Sequence, residues 1–163
     1  KATELAAWRI VPLLTERTAH AGAEPSAARL RRWQTIAGAA AEQCGAAYVP
    51  AIARPLPLAA ALREPAARRL FAWEGDGARQ SVREALLGVS RRTPAQHEAM
   101  ADVPEVAIFV GPEGGFSEGE VELARTAGCR LVTLGSLIVR AETAALAALV
   151  ALAEALRDTP NAE

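Results

Sequence analysis

Short apolar runs alternate with amphipathic segments along the chain, and this alternation predicts strands separated by helices. The predicted strands are residues 8–11, 46–52, 69–73, 106–110 and 130–135. The run at 106–110, VAIFV, is apolar and rich in β-branched residues, which is typical of a strand buried on both faces of a parallel sheet. Strands that alternate with helices indicate an α/β fold with a mostly parallel sheet flanked by helices.

Capping residues mark the two clearest helices. Ser26 and Gly45 bracket a helix over 26–44. Ser117 and Glu120 form an S-x-x-E capping box, so a second helix is predicted to begin at Glu118 and to end before Gly128. The apolar face predicted for the first helix consists of Leu30, Trp33, Ala37, Ala40 and Cys44.

Other helical segments are less regular. Residues 1–7 resemble the end of a helix, and short helices are predicted over 57–63 and 81–87, with a loop around Thr93 and Pro94. The segment 142–156 is apolar almost all round, unlike a helix that lies alone on a surface. It is therefore predicted to be buried within the fold, in a subunit interface, or in both.

Composition and charge narrow the class of protein. The chain has 163 residues, 51% of them hydrophobic, with a net charge of −1, which fits one domain with a sizeable core. Its pI of about 6.2 is far from the strongly basic values of proteins that bind nucleic acid through bulk charge. Seventeen of the eighteen basic residues are arginines. For an adjacent pair such as Arg31 and Arg32, a solvated helix face is favoured over phosphate contacts.

The cysteines and the apolar runs indicate a reducing, cytoplasmic setting. Cys44 and Cys129 are far apart and no Cys or His cluster accompanies them, so neither a disulfide framework nor a metal site is predicted. No apolar run is long enough to cross a bilayer. No membrane association and no metal are expected.

Two turns that follow predicted strands are candidates for a binding site. The first, GPEGGF at 111–116, lies where open α/β sheets bind ligands, and its glycines allow backbone amides to approach a ligand closely. It matches neither a P-loop nor G-x-G-x-x-G, and Pro112 stiffens it. The second, LGSLIVRAET at 134–143, presents Arg140 and Glu142 just before the last helix. The two turns are predicted to line one pocket.

These segments resemble the RsmE-type ribosomal RNA uridine methyltransferases of the SPOUT superfamily. The resemblance is carried by KATEL at 1–5, TERT at 15–18, RW at 32–33, AAEQCG at 40–45, GPEGGFS at 111–117 and LGSLIVRAETAALAAL at 134–149. The segments follow the family's order over essentially the whole chain. The combination of GPEGGFS with LGxxIxRxETA at this spacing is specific.

The resemblance implies a fold, a cofactor and a reaction. The fold would be a SPOUT-type α/β knot, with a C-terminal trefoil knot, acting as a homodimer. The cofactor would be S-adenosyl-L-methionine, and its methyl group would go to N3 of a uridine in small-subunit ribosomal RNA. Ala72 and Trp73 would add a third wall to the cofactor site. The family's cofactor-binding residues fall here on Phe109, Gly111, Gly114, Gly115, Leu134, Gly135, Leu137, Ile138 and Val139.

The chain departs from the family at a few positions. The family commonly has arginine where this chain has Leu137 and Ala46. Its members also carry an N-terminal β-barrel that binds RNA, and no part of 1–163 corresponds to it. Residues 1–163 are therefore expected to form the methyltransferase domain alone.

Arg140 and Glu142 are the candidate catalytic residues. Removing the N3 proton leaves a uridine anion, and Arg140 is predicted to stabilise it by hydrogen-bonding a uridine carbonyl. The alternative is that Arg140 pairs with Glu142 or binds loop carbonyls. A carboxylate such as Glu142 is also favoured at a helix N-terminus by the helix dipole, whatever the chemistry.

Two other functions remain open from the sequence. One is a related knotted methyltransferase that modifies a ribose 2′-hydroxyl or another base. The other is a module that binds the cofactor or RNA, or that dimerises, without turnover.

Overall fold

In a computed structural model, the chain forms an α/β domain, which is described for residues 1–18, 25–75, 77, 80–87 and 106–157. The helices are α1 (Ala27–Cys44), α2 (Leu58–Ala61), α3 (Val82–Leu86), α4 (Glu118–Thr126) and α5 (Ala141–Arg157). The strands are β1 (Arg9–Ile10), β2 (Leu13–Leu14), β3 (Ala51–Ile52), β4 (Leu56–Pro57), β5 (Arg68–Ala72), β6 (Gln80–Ser81), β7 (Val106–Phe109) and β8 (Arg130–Thr133).

The main sheet has four strands in the order β6-β8-β5-β7, and all of its pairings are parallel. Two further parallel pairs, β1 with β3 and β2 with β4, complete the strand pairing within the described ranges. Because the strands of the main sheet are parallel, β5, β7 and β8 end at the same edge. The predicted parallel α/β architecture is thus confirmed.

The hydrophobic core lies on both faces of β5, because successive side chains of a strand point to opposite sides. Leu70 packs with α3 and α5, in a cluster that includes Val82, Leu86 and Val132. Phe71 packs on the other face, in a cluster that contains residues of α2 and α4. The sheet is therefore sandwiched between two helical layers, and both Leu70 and Phe71 are completely buried.

Helix α1 follows the predicted bounds, because its caps are local features of the sequence. The Ser26 side chain accepts a hydrogen bond from the Arg29 amide, and Gly45 ends the helix in the left-handed conformation. The predicted apolar face is only partly right. Ala37 and Ala41 are the buried residues of the helix, whereas Cys44 is exposed. Small alanines face the core here, so the helix lies close to its neighbours.

The strands are shorter than predicted. The segment 46–52 contributes only Ala51–Ile52, because Pro50 comes directly before and has no amide hydrogen to donate to a ladder. The run at 106–110 forms an outer strand of the described sheet, so Val106, Ala107 and Ile108 are half-buried and only Phe109 is buried. Residues 2–6 form turns instead of the predicted helix end. The loop predicted around Thr93 and Pro94 lies outside the described residues.

Helix α5 confirms the prediction of an apolar C-terminal helix. Ala148 and Ala155 are buried, and Ala151, Leu152 and Leu156 pack against the α3 side of the sheet. Val150 remains 43% exposed. None of the helices in the described part of the chain is long and apolar enough to span a membrane.

Candidate functional site

A cleft of about 130 Å³ lies at the edge of the sheet where β5, β7 and β8 end. Three segments form its walls: the end of β5, the loop after β7, and the loop after β8. This confirms the prediction that the two glycine-containing turns form one pocket. The lining residues are Ala72, Trp73, Glu74, Val110, Gly111, Pro112, Glu113, Gly115, Thr133, Leu134, Gly135, Ser136, Leu137, Ile138, Val139, Ala141 and Ala144.

The first loop, residues 111–117, is a tight turn that we call the glycine loop. The Gly115 amide donates to the Pro112 carbonyl oxygen at 2.8 Å, and Gly115 has a φ of +67°. A Cβ on Gly115 would lie 2.6 Å from Glu74 Oε1, so the end of the Glu74 side chain would have to move to admit a larger residue. The positive φ is what favours glycine at this position.

An aromatic cluster supports the glycine loop from below. Phe116 is 1% exposed, and its ring centroid lies 4.1 Å from that of Phe71 in the core. A Cβ on Gly111 would approach the Phe116 ring to 3.1 Å. The backbone of the loop therefore packs directly on the core. This packing fixes the position of this wall of the cleft relative to the sheet.

The second loop, residues 134–140, provides an apolar wall. The Thr133 hydroxyl donates to the Gly135 carbonyl oxygen at 2.9 Å and accepts from the Gly135 amide at 3.2 Å, which closes the turn at the end of β8. Leu137 and Ile138 are 81% and 84% exposed. Such exposure of large apolar side chains at a cleft indicates a surface that a ligand or a partner covers.

Most of the predicted cofactor-binding residues lie together in this cleft. Phe109 is buried beneath it, and Gly114 lies on the glycine loop without lining the cleft. The predicted third wall, Ala72 and Trp73, also lines it. The predicted residues that line the cleft are Gly111, Gly115, Leu134, Gly135, Leu137, Ile138 and Val139.

Arg140 and Glu142 lie at the start of α5, beside the cleft. Both side chains are exposed, and the adjacent Ala141 and Ala144 line the cleft. The Arg140 carbonyl accepts from the Ala144 amide at 2.8 Å, as expected at a helix start. The structure records no ion pair between Arg140 and Glu142, both of which belong to the described residues.

The described lining of the cleft is acidic. It contains the carboxylates Glu74 and Glu113 and no arginine or lysine. Glu74 was not predictable as a cleft residue, because a lone glutamate after a strand carries no recognisable signal. Thr133 was not predictable as a cleft residue either, because a threonine within a strand carries no signal of a binding site. Acidic and apolar walls suit an apolar ligand that carries positive charge.

In the described ranges 1–18, 25–75, 77, 80–87 and 106–157, no group of three or more His, Cys, Asp or Glu residues is placed to hold a metal ion. The buried thiol of Cys129 belongs to the core and not to the cleft. Burial raises its pKa to about 11, and the charge of Arg69 lowers it by less. This thiol is therefore protonated at neutral pH.

Known proteins resemble the chain over most of its length. A Synechocystis protein named ribosomal RNA small subunit methyltransferase E is 36% identical over 151 residues, which are 90% of this chain and 45% of that protein. The structure of a protein of the same name from Neisseria gonorrhoeae, bound to S-adenosyl methionine, matches with a TM-score of 0.71 and 33% identity. The match covers 93% of this chain and 56% of that one.

A Legionella pneumophila methyltransferase in complex with the same cofactor matches with a TM-score of 0.70 and 29% identity, over 94% of this chain and 58% of that one. The chain thus spans about half the length of the relatives it matches. The model of the RNA methyltransferase domain family matches residues 1–153. With this match over nearly the whole chain and the glycine loop in place at the sheet edge, the chain belongs to the RNA methyltransferase domain family.

Proposed function

We propose that this chain is the catalytic domain of a methyltransferase that transfers a methyl group from S-adenosyl-L-methionine to N3 of a uridine in small-subunit ribosomal RNA. One observation carries the proposal: two loops that are separate in sequence line a single cleft at the carboxyl edge of the parallel sheet. The names of the Synechocystis and Neisseria relatives support the substrate class. The cofactor in two similar structures supports the methyl donor.

The residues of the cleft fit this cofactor. Leu134, Leu137, Ile138 and Val139 offer an apolar wall for an adenine ring. Gly111, Gly115 and Gly135 let a ligand approach the backbone closely, because they carry no side chain. For Phe109 and Gly114, contact with the cofactor stays a prediction from the family resemblance. Glu74 and Glu113 complement the cofactor's positive charges. The bound cofactor supplies an electrophilic methyl group on a sulfonium, which becomes a neutral thioether when the methyl leaves.

The protein's part in this reaction is to orient the uridine and to stabilise its anion. The N3 proton passes to water, and the negative charge left behind is shared with the neighbouring carbonyl oxygens until the N3 electron pair forms the new bond to carbon. Arg140 is exposed beside the cleft, and its guanidinium is suited to donate hydrogen bonds to one of these oxygens. Glu142 has two candidate roles. It could orient the substrate, or it could stabilise α5 by placing a negative charge at the positive end of the helix dipole.

The proposal also includes the finer architecture of the family. We infer a C-terminal trefoil knot that involves α5, and a homodimer in which this helix and the second loop meet a partner. The exposed apolar side chains of Leu137, Ile138 and Val150 support such a partner. An enzyme that modifies ribosomal RNA acts where ribosomes are made. We therefore include the predicted cytoplasmic location in the proposal.

The decisive experiment is mass mapping of the modified nucleoside. The chain is incubated with S-adenosyl-L-methionine and undermethylated small ribosomal subunits, with and without a family N-terminal barrel supplied, and 3-methyluridine is expected. A 2′-O-methyl product or another methylated base identifies the related knotted enzymes instead. Binding of the cofactor without any product in either reaction identifies a binding module.

Arg140→Ala is expected to lower kcat by at least about a hundredfold while the Kd for the cofactor stays near the parent value, because the lost contact acts on the developing anion. Methylation rates under saturating cofactor measure this. Methylation at the parent rate would show that Arg140 has no role in the mechanism.

Glu142→Gln distinguishes a role in orienting the substrate from a purely structural role at the start of α5. A purely structural effect on the helix dipole lowers the melting temperature and leaves kcat unchanged.

A further inference from the structure

The segment 15–18, which we call the brace, contacts the glycine loop from a side that does not line the cleft. None of its four residues is among the lining residues. It follows directly after β2, which pairs with β4, so the sheet pairing anchors its first residue. The brace and the glycine loop are about a hundred positions apart in sequence, so their contact is a product of the fold.

Arg17 makes the first connection between the two segments. Its Nη1 donates to the Gly114 carbonyl oxygen at 2.9 Å and to the Phe116 carbonyl oxygen at 3.2 Å. A Cβ on Gly114 would lie 3.1 Å from the Cβ of Arg17 and 3.5 Å from its Cδ. The absent side chain of Gly114 thus gives the arginine stem its place against the loop. Hydrogen bonds from a charged donor are among the stronger ones in proteins.

Glu120 makes the second connection. Its side chain is buried at 6% exposure. One carboxylate oxygen, Oε1, accepts from the Glu16 amide at 2.9 Å, and the other, Oε2, accepts from the Ser117 amide at 2.9 Å. A single buried carboxylate therefore holds the brace and the end of the glycine loop together.

The brace is itself held rigid. The Thr15 amide donates to Thr18 Oγ1 at 3.0 Å, the two hydroxyls lie 2.7 Å apart, and the Thr18 amide donates to the Thr15 carbonyl at 3.2 Å. Thr15 is 8% exposed. A segment that is closed on itself and partly buried can fix the position of the loop it contacts.

We propose that Arg17 is a positioning residue that holds the glycine loop in the conformation needed to form the cleft wall. The inference rests on the proposed function for its link to the cofactor. It predicts that the loop loosens when the guanidinium is removed, and that cofactor binding weakens as a result. It also gives Gly114 a reason for being glycine, since that position faces Arg17.

Arg17→Met tests the proposal, because methionine keeps the stem against Gly114 and removes the donor. Hydrogen exchange of the amides in 111–117 is measured without cofactor, and exchange about tenfold faster than in the parent is expected. The Kd for S-adenosyl-L-methionine, from calorimetry, is expected to rise about tenfold. Arg17→Lys restores a charged donor and is expected to recover part of both effects.

Arg54→Met is the matched control, because Arg54 is exposed and lies outside the cleft lining and the brace. It should leave exchange and Kd unchanged. If Arg17→Met unfolds the protein, Glu120→Gln tests the second connection between the brace and the glycine loop and should speed exchange in the loop. Parent-like exchange in the folded variants, or faster exchange with an unchanged Kd, would overturn the proposal. A parent chain that binds no cofactor instead refutes the proposed function, while the exchange comparison still tests the brace.

Discussion

Gly115 shows how one residue serves both the turn and the cleft. Its φ of +67° is a conformation that a residue with a Cβ adopts at a cost, and Glu74 fills the space where that Cβ would be. That Gly115 lies in a turn beside a binding site was predictable from the GPEGGF motif. Its contact with Glu74 was not, because Glu74 follows a different strand and is brought in by the pairing of β5 with β7.

Gly115→Ala is expected to destabilise the fold by about 1–3 kcal/mol and to weaken cofactor binding, because it strains the turn and displaces Glu74. Urea unfolding and calorimetry measure the two effects. Gly38→Ala is the control, since Gly38 lies within α1 and a Cβ added there would meet no neighbouring atom within 4 Å. That change should stabilise the fold by about 0.5–1 kcal/mol. Equal effects of the two substitutions would contradict the role assigned to Gly115.

Cys129 gives the fold a dependence on alkaline pH. Burial raises the pKa of its thiol from 9.0 to about 11. Between these values the unfolded chain has released the thiol proton and the folded chain still holds it, so the free energy of unfolding falls as the pH rises. Urea unfolding at about pH 8 and about pH 10 should show this decrease.

Replacing Cys129 with alanine should reduce that decrease, whereas Cys44→Ala should preserve it, because Cys44 is exposed. Alkylation in the native state offers a second measurement. Cys44 is expected to react and Cys129 to be protected. Rapid modification of Cys129 in the folded protein would show that it is not buried as described.

At the scale of elements, local signals were predictable and pairings were not. Ser26 and the Ser117–Glu120 box located α1 and α4 because a cap acts within one turn of its helix. The strands β2, β4 and β6 have two residues each, which is too short for a strand pattern to be detected, and both residues of β6 are polar. Their existence depends on neighbours that the fold supplies. The same holds for Arg17, whose acceptors lie 97 and 99 positions away.

The caps of α1 and α4 should differ in their consequences although their chemistry is alike. Ser26→Ala and Ser117→Ala each remove a hydroxyl that accepts a helix amide, and each should cost about 1 kcal/mol of stability. Only Ser117→Ala should also raise the Kd for the cofactor, because Ser117 ends the glycine loop. Urea unfolding and calorimetry on both variants measure this. The same Kd for the cofactor in both variants would show that the α4 cap does not affect the cleft.

At the scale of the whole molecule, the parallel sheet determines where the site lies. Strands β5, β7 and β8 end at one edge, so their following loops must meet there, and this much was predictable from alternating strands and helices. The packing of α5 against the sheet was predictable from its apolar composition, although only Ala148 and Ala155 are fully buried. Which of its faces meets the sheet was not, because an apolar helix has no polar side to orient it.

The proposed homodimer predicts a solution mass of twice 17.1 kDa. Sedimentation equilibrium measures it. Val150→Asp should shift the equilibrium toward the monomer, because Val150 is an exposed apolar residue of α5. Leu123→Asp, on the exposed side of α4, is the matched control and should leave the dimer intact. A monomer in the parent protein would contradict the proposed assembly.

The position of Trp73 gives the protein a built-in optical reporter. Trp73 lines the cleft, while Trp8 and Trp33, the chain's other tryptophans, do not. A ring system that enters beside Trp73 displaces solvent from the indole and alters its fluorescence emission. With Trp8 and Trp33 replaced by phenylalanine, the light from one side chain follows occupancy of the cleft in real time, without any label on the ligand.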